Sequence, residues 1–281
     1  MVRFMSFSSG SCGNCYYLGT QDRGILIDAG VSVRRLRKAL DAAGLTEDSF
    51  GAVLVTHDHQ DHIRHLDKFC QYLHKPVYAT DELHRALAFR RSTQDTIAGY
   101  RQVLGRGRWN DIDGIRVRYF EVPHDATQTV GYAIGMDDCR FVIMTDIGRM
   151  TDEAVSFARQ ADTVVIESNY DMDMLMGGPY TYDLKMRIVQ GHGHLSNDEC
   201  ADAIRRFLHP GLRNIFLCHL SEHNNTPQTA FDCSMAALRE SFPQMPSSGA
   251  APDCSGSVLP DASIPSLRCL PRRTPSPLFV L

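Results

Sequence analysis

The sequence predicts an α/β protein in which two mixed sheets are flanked by helices. Three observations carry that expectation. The apolar runs are short and rich in β-branched residues, as in Ala52–Val55, "AVLV". Stretches with apolar residues at helical spacing separate many of them. Strands also occur both consecutively and in alternation with helices, which neither a purely parallel nor a purely antiparallel sheet requires.

Taken in order, Val2–Phe7, Tyr16–Leu18 and Ile25–Asp28 read as strands, interrupted by the turn-rich "SSGSCGN" at Ser8–Asn14. Ser32–Ala43 is the first helix, with Ser32 as N-cap and Gly44 as its stop. Ala52–Thr56 is a strand, Ile63–His74 a helix and Pro76–Ala79 another strand. Arg116–Val122, Thr129–Ile134 and Cys139–Thr145 follow as consecutive strands. Helix Thr151–Arg159, strand Thr163–Ile166, helix Ser196–Leu208, strand Asn214–Leu217 and helix Pro227–Ser241 complete the series. Residues 1–242 are thus expected to form one folded domain. From Pro243 the composition turns to Pro, Ser and Ala, so residues 243–281 are expected to be a largely disordered tail whose last stretch returns as one edge strand.

A net charge of −4 argues against a globally basic nucleic-acid binder and leaves room for a local basic face. No apolar run is long enough to cross a bilayer, and no membrane partner is expected. The opening "MVRFMSFSSG" lacks an apolar signal core. Nine scattered cysteines, an odd number, suit reduced thiols and a cytoplasmic location better than a disulfide framework.

The chemistry begins where a buried strand stops. Ala52–His62 reads "AVLVTHDHQDH", placing His57, His59, Asp61 and His62 in one short loop. Imidazole and carboxylate at this density match borderline transition metals, zinc above all, with manganese and iron feasible. Four ligands from one tight loop cannot all reach a single ion and leave it open to substrate. Two divalent ions, each completed by distant residues, satisfy the geometry. Single His or Asp residues just past later apolar runs are the candidates: His124 in "FEVPHDA", Asp146 in "FVIMTDIG" and His219 in "NIFLCHLS". A charge at the end of a buried run is costly unless it is matched.

That order of residues resembles the metallo-β-lactamase superfamily. The resemblance implies a four-layer αββα sandwich with the site at one edge of its two sheets. It also implies a division of ligands: His57, His59 and His124 on one ion, Asp61, His62 and His219 on the other, and Asp146 bridging. Two close divalent ions lower the pKa of a shared water and neutralise charge on the attacked group, which suits phosphodiester hydrolysis by a metal-bridging hydroxide. Asp61 is placed to orient the nucleophile.

An alkoxide leaves poorly, so a phosphodiesterase also needs a proton donor. His194 in "GHGHLSNDE" and Glu167 in "VVIESNY" look like the general acid and its orienting carboxylate in phosphodiesterase members such as the RNase Z group. His192 is the alternative donor, and an ordinary helix-entry histidine the competing reading. His65, one turn past His62, reads as a supporting or surface residue. "SFSSGSCGNCYYL", "LIDAG", "ESNYDMDMLMGGPYTYDLKMRI", "GHLSN" and "HLSEHNNTP" narrow the resemblance to the YycJ/WalJ group, from about Met1 to about Phe242. Members of that group are regarded as 5′-to-3′ DNA exonucleases linked to DNA repair, which makes nucleic acid, DNA first, the implied partner. Cys12 and Cys15 form a lone C-x-x-C, read as packing thiols.

Three stretches bear on substrate. Ser8–Asn14 either presents N–H groups to a phosphate or is simply a tight hairpin. His84–Arg108 holds six arginines against one acidic residue, with Phe89 and Tyr100 interleaved. It either tracks a nucleic-acid backbone and stacks on end bases or is a solvated face. Asn224 and Asn225 are candidate orienting groups. The leading rival function is thioester or lactone hydrolysis of the glyoxalase II type, which would want a helical C-terminal region unlike this tail. A redox di-iron module would want a carboxylate in place of His59. A non-catalytic metal-binding regulator would not need the complete ligand set. The β-CASP nucleases carry a large insertion between Asp146 and the last ligand that is absent here.

Overall fold

Most of the apolar runs read from the sequence become strands with little exposed surface. In a computed structural model the described residues are 1–241 and 264–281. They fall into two units: Met1–Glu121 with Ala126–Cys139 and Pro271–Leu281, and Val122–Asp125 with Arg140–Leu270.

In the first unit, β1 (Arg3–Ser8), β2 (Cys15–Gly19) and β3 (Gly24–Ile27) form an antiparallel meander. Helix α1 (Val33–Ala42) then turns the chain back, capped by Ser32, whose side chain accepts from the Arg35 N–H. This crossover lets β4 (Ala52–Leu54) pair parallel with β3, with Ile25 opposite Ala52 and Ile27 opposite Leu54. The carboxyl ends of β3 and β4 therefore finish side by side. Asp28 follows one and the histidine loop follows the other.

A single helix was expected over Ile63–His74; two are present, α2 (Gln60–Ile63) and α3 (Leu66–Leu73). The cause is competition for carbonyls. In a continuous helix the N–H groups of His65 and Leu66 would bond to the oxygens of Asp61 and His62. Those oxygens instead accept from Asn14 N–H (2.8 Å) and Ala29 N–H (2.7 Å), and His65 N–H turns to the Ala29 oxygen. The metal-motif loop is thus stitched to two other loops at the expense of one helical turn.

Strand β5 (Val77–Ala79), helix α4 (Asp81–Phe89) and strand β6 (Arg101–Val103) continue the parallel series. After β7 (Asn110–Ile112), the strands β8 (Ile115–Glu121) and β9 (Val130–Met136) pair antiparallel in turn.

In the second unit, β10 (Cys139–Met144), β11 (Thr163–Glu167), β12 (Asn214–Cys218) and β13 (Ser266–Cys269) lie parallel in that order. Helix α5 (Asp152–Ala158) links the first two. The longer excursion between β11 and β12 holds α6 (Met172–Gly177), α7 (Tyr182–Val189) and α8 (Asn197–Phe207). Helix α8 opens on a reciprocal capping box between Ser196 and Glu199. Helix α9 (Pro227–Ser241) follows β12. The final residues supply two strands where one was expected: β13, and β14 (Phe279–Val280), which pairs with β1 at the edge of the first unit's seven-stranded sheet. The disorder expected from Pro243 onward concerns residues that lie largely outside the described ones. Among the described residues no helix is long and apolar enough to cross a membrane.

Candidate metal centre

Each unit gathers its own share of the predicted ligands. In the first, the loop after β4 carries fully buried His57 and His62, half-buried His59 and part-exposed Asp61. The His57 ring centroid lies 4.8 Å from that of His59 and 4.0 Å from that of His62. Asp28, buried at the end of β3, organises them. One of its oxygens accepts from Thr56 N–H (2.8 Å); the other accepts from the Thr56 hydroxyl (2.8 Å) and lies 2.7 Å from His62 Nδ1.

Those bonds decide the tautomers. An ionised Asp28 only accepts, so His62 carries its proton on Nδ1 and keeps a lone pair on Nε2. The Thr56 hydroxyl spends its single proton on Asp28, so His57 Nδ1, 3.1 Å away, donates to Thr56 Oγ1. His57 Nε2 is likewise left basic. A hydrogen-bonded Nδ1 and a lone pair on Nε2 is the arrangement a metal-binding histidine requires. Asn14, itself buried, places its amide nitrogen 2.8 Å from His62 Nε2 and 3.1 Å from Asp61 Oδ2, drawing the two side chains together. Gly30 makes the junction possible, because a Cβ there would lie 1.8 Å from the Asp61 carbonyl oxygen.

In the second unit, parallel pairing brings the strand ends together. Met144 sits opposite Ile166, and Glu167 opposite Cys218. Asp146, Glu167 and His219 consequently leave neighbouring strands at the same edge, the usual ligand-binding edge of a parallel sheet. Asp146 and His219 adopt left-handed backbone (φ 56° and 53°), as does Asp28 in the first unit (63°). Non-glycine residues take that region at a cost of about 1–3 kcal/mol and tend to do so at functional sites. Ligand atoms of Asp146, Glu167, His194 and His219 all lie within 4.8 Å of one another. His124 Nδ1 donates to the Gly193 carbonyl at 2.6 Å, which leaves its Nε2 as the basic nitrogen.

Glu167 is the hub of this cluster and is fully buried. One of its oxygens lies 2.8 Å from His194 Nδ1 and 3.0 Å from His219 Nδ1; the other accepts from the N–H groups of Ile147 (2.8 Å) and Leu195 (3.3 Å). Burial opposes the charged form of both Glu167 and His194. Their mutual contact outweighs it, holding the carboxyl below its ordinary range and the imidazole above its own. His194 keeps 23 % side-chain exposure. His192 is exposed, and no hydrogen bond from its side chain joins it to this cluster.

The remaining candidates behave differently. Ser8, Ser9 and Asn14 are buried, and the Asn14 side chain closes the turn by bonding both the N–H and the carbonyl of Gly10. The turn is a hairpin brace. Cys15 is buried in β2 and Cys12 is half-buried; the eight described cysteines are all free thiols. Asn225 spends its side chain on the Ser168 and Asn169 carbonyls and on Asn197, tying α8 to the strand ends. In the arginine-rich stretch, Arg85 and Arg101 pair with Asp81, Arg90 with Asp58 and Arg106 with Glu121, so acids outside the stretch offset much of its excess charge.

Three contributors escaped the sequence reading: Asp28, Asn14 and Asn169. The signal for Asp28 was present, since it stands just past the apolar run Ile25–Ile27, as Asp146 stands past its own. Asn169 holds His219 by donating from its side-chain amide to the His219 carbonyl (2.7 Å). No periodicity announces such a contact.

Residues 23–219 match the family model described as the beta-lactamase superfamily domain. The chain belongs to the metallo-β-lactamase superfamily. It is 31 % identical over 228 residues to exodeoxyribonuclease WalJ of Streptococcus pneumoniae, covering 81 % of this chain and 85 % of the relative. To exodeoxyribonuclease YycJ of Bacillus anthracis it is 31 % identical over 229 residues, covering 82 % and 86 %. Among solved structures, zinc-bound PqqB from Methylobacterium extorquens superimposes with a TM-score of 0.69 at 17 % identity, over 99 % of this chain and all of that one (100 %). The α/β sandwich expected from the sequence is therefore the fold of the chain. As a superfamily member it is a metal-dependent hydrolase, and its buried His and Asp clusters suit the dinuclear site of that fold.

Proposed function

We propose that the chain is a DNA exonuclease acting in the 5′-to-3′ direction with a dinuclear metal centre. His57, His59 and His124 would hold one divalent ion and Asp61, His62 and His219 the other, with Asp146 as a further ligand. The family match runs through all seven positions, and the Nδ1 bonds of His57, His62 and His124 each leave a basic Nε2 for a cation. Zinc suits this imidazole-rich set first, with manganese or iron as substitutes. Bound divalent ions supply an acidified water and draw charge from the attacked phosphate. Asp61 orients the nucleophile.

The observation that carries the reading is the 2.8 Å contact of His194 with buried Glu167, beside Asp146 and His219. Glu167 keeps the Nδ1 proton in place and stabilises the cationic ring, so Nε2 is the atom that gives a proton to the departing sugar oxygen. A thiolate, with a conjugate-acid pKa of about 8.5, leaves without such help near neutral pH. An alkoxide does not, and this is why a phosphodiester is preferred to a thioester. The relatives' names point to the same substrate class. A role in DNA repair in a reducing cytoplasm agrees with those names and with the free thiols of the described residues.

The test is metal-reconstituted protein, beside the same protein stripped with chelator, on 5′- and 3′-labelled duplex DNA, single-stranded DNA and RNA. Mononucleotide release from the 5′ end of DNA, restored by adding metal, is the expected result; equal activity in both preparations would defeat the proposal. A second expectation concerns Asp28. Asp28→Asn removes the anion behind His62 and Thr56 at nearly constant volume, and metal affinity should drop about 10–100-fold. Competition against a chromogenic chelator measures it.

A further inference from the structure

One face of α4 is built unlike a solvated helix face. Leu83, His84 and Leu87 are buried on one side, while Glu82, Arg85, Ala86 and Phe89 share the other at helical spacing. The latter four, with Arg90, Asp58 and Thr127, line an open pocket of about 440 Å³. That volume falls in the range of roughly 300–1,000 Å³ typical of small-ligand sites. Phe89 projects into solvent at its rim with 87 % of its surface exposed, the most of any large hydrophobic side chain among the described residues. A phenyl ring so exposed gains nothing from the core.

The pocket floor leads to the metal-motif loop. Arg90 bonds Asp58 through Nε (3.2 Å) and Nη2 (2.5 Å), and Thr127 donates to the same carboxylate from its hydroxyl (2.8 Å) and to its other oxygen from its N–H (3.2 Å). Asp58 is buried and stands between His57 and His59 in the chain. A ligand seated against Phe89 therefore rests beside the loop that carries those two histidines, all within the first unit. The lining chooses the ligand. A flat aromatic face and a small Ala86 that leaves space beside it suit a planar ring, while the lining charges of Arg85, Arg90, Glu82 and Asp58 balance. Arg90 is held by Asp58 and Arg85 pairs with Asp81, so the feature left for a ligand is the exposed ring, which an aliphatic chain or a simple anion would not need.

We propose that this face of α4 is a nucleobase subsite, in which Phe89 stacks on a base of the DNA strand being degraded. The proposal rests on the nuclease reading above and names where that substrate is gripped. Stacking on an aromatic side chain is tolerant of sequence, as an exonuclease requires.

Steady-state kinetics of the metal-loaded full chain test it, with end-labelled DNA and bis(p-nitrophenyl) phosphate as parallel substrates. Phe89→Ala should raise KM for DNA by about tenfold, leave turnover of the small diester unchanged, and be rescued by Phe89→Trp. An unchanged KM for DNA in an otherwise active Phe89→Ala protein would overturn the subsite alone, leaving the ring to some other occupant. An equal loss on both substrates would overturn it as well, because the ring would then support the fold. A wild-type protein that cleaves the small diester and no DNA would defeat the nuclease reading and the subsite together.

Discussion

Asp61→Ala is expected to abolish nuclease activity, to the level of the chelated protein. In the proposed centre three roles would converge on this carboxylate: a hard oxygen ligand in a site otherwise dominated by imidazole, an offset to cationic charge, and orientation of the nucleophile. Its neighbours accentuate the loss. Asn14 sits 3.1 Å from Asp61 Oδ2 and 2.8 Å from His62 Nε2, and the two side chains stand 3.6 Å apart. Without the carboxylate, the amide is left with the Gly10 carbonyl and the imidazole, the latter on the nitrogen proposed for the cation. Elemental analysis of the purified variant should show substoichiometric metal, and the end-labelled assay should show no product above background. Full activity in Asp61→Ala would mean that the hydrolysis observed comes from a contaminating nuclease.

His194→Ala should lower turnover on DNA by about 10²–10⁴-fold, the usual worth of a positioned general acid. Metal content should stay at the wild-type level, since His194 is not among the seven proposed ligands. That separation distinguishes a proton donor from a ligand. Leaving-group dependence supplies a second readout. The variant should lose far less on a diester with an acidic phenol as leaving group, which departs without a proton, than on DNA. Glu167→Gln should resemble it in direction, because the neutral amide no longer stabilises the cationic ring. Glu167 also bonds the Ile147 and Leu195 N–H groups and lies 3.0 Å from His219 Nδ1, so a fall in thermal stability is expected alongside. Equal losses on both diesters for His194→Ala would remove the proton-donor role.

Much of this was legible before any coordinates, for one reason: a charged group at the end of a buried apolar run is expensive and must be matched. His57, His124, Asp146, Glu167 and His219 all announce themselves that way, and the structure buries Glu167 and Asp146 almost completely. The long periodic segments were legible too; α8, expected over Ser196–Leu208, spans Asn197–Phe207 between the same boundaries. The elements that went unread lacked a core-facing signal. Helix α7 buries no residue, and strand β6 is exposed at every position, so neither carries hydrophobic periodicity. Helix α4 did carry one, in Leu83 and Leu87 behind the N-cap of Thr80, but its arginines drew attention to surface charge instead.

The sequence by itself determined which residues have the chemistry to hold metal and move a proton, because ligand type and strand-end position are written in local order. Only the tertiary structure decided how they are aimed. Asp28 reaches His62 across 34 positions of chain and Glu167 reaches His194 across 27, choosing which ring nitrogen stays basic and which ring is held charged. Hydrogen bonds between residues so far apart depend on strand pairing and crossover connections, and no local pattern in the chain encodes them.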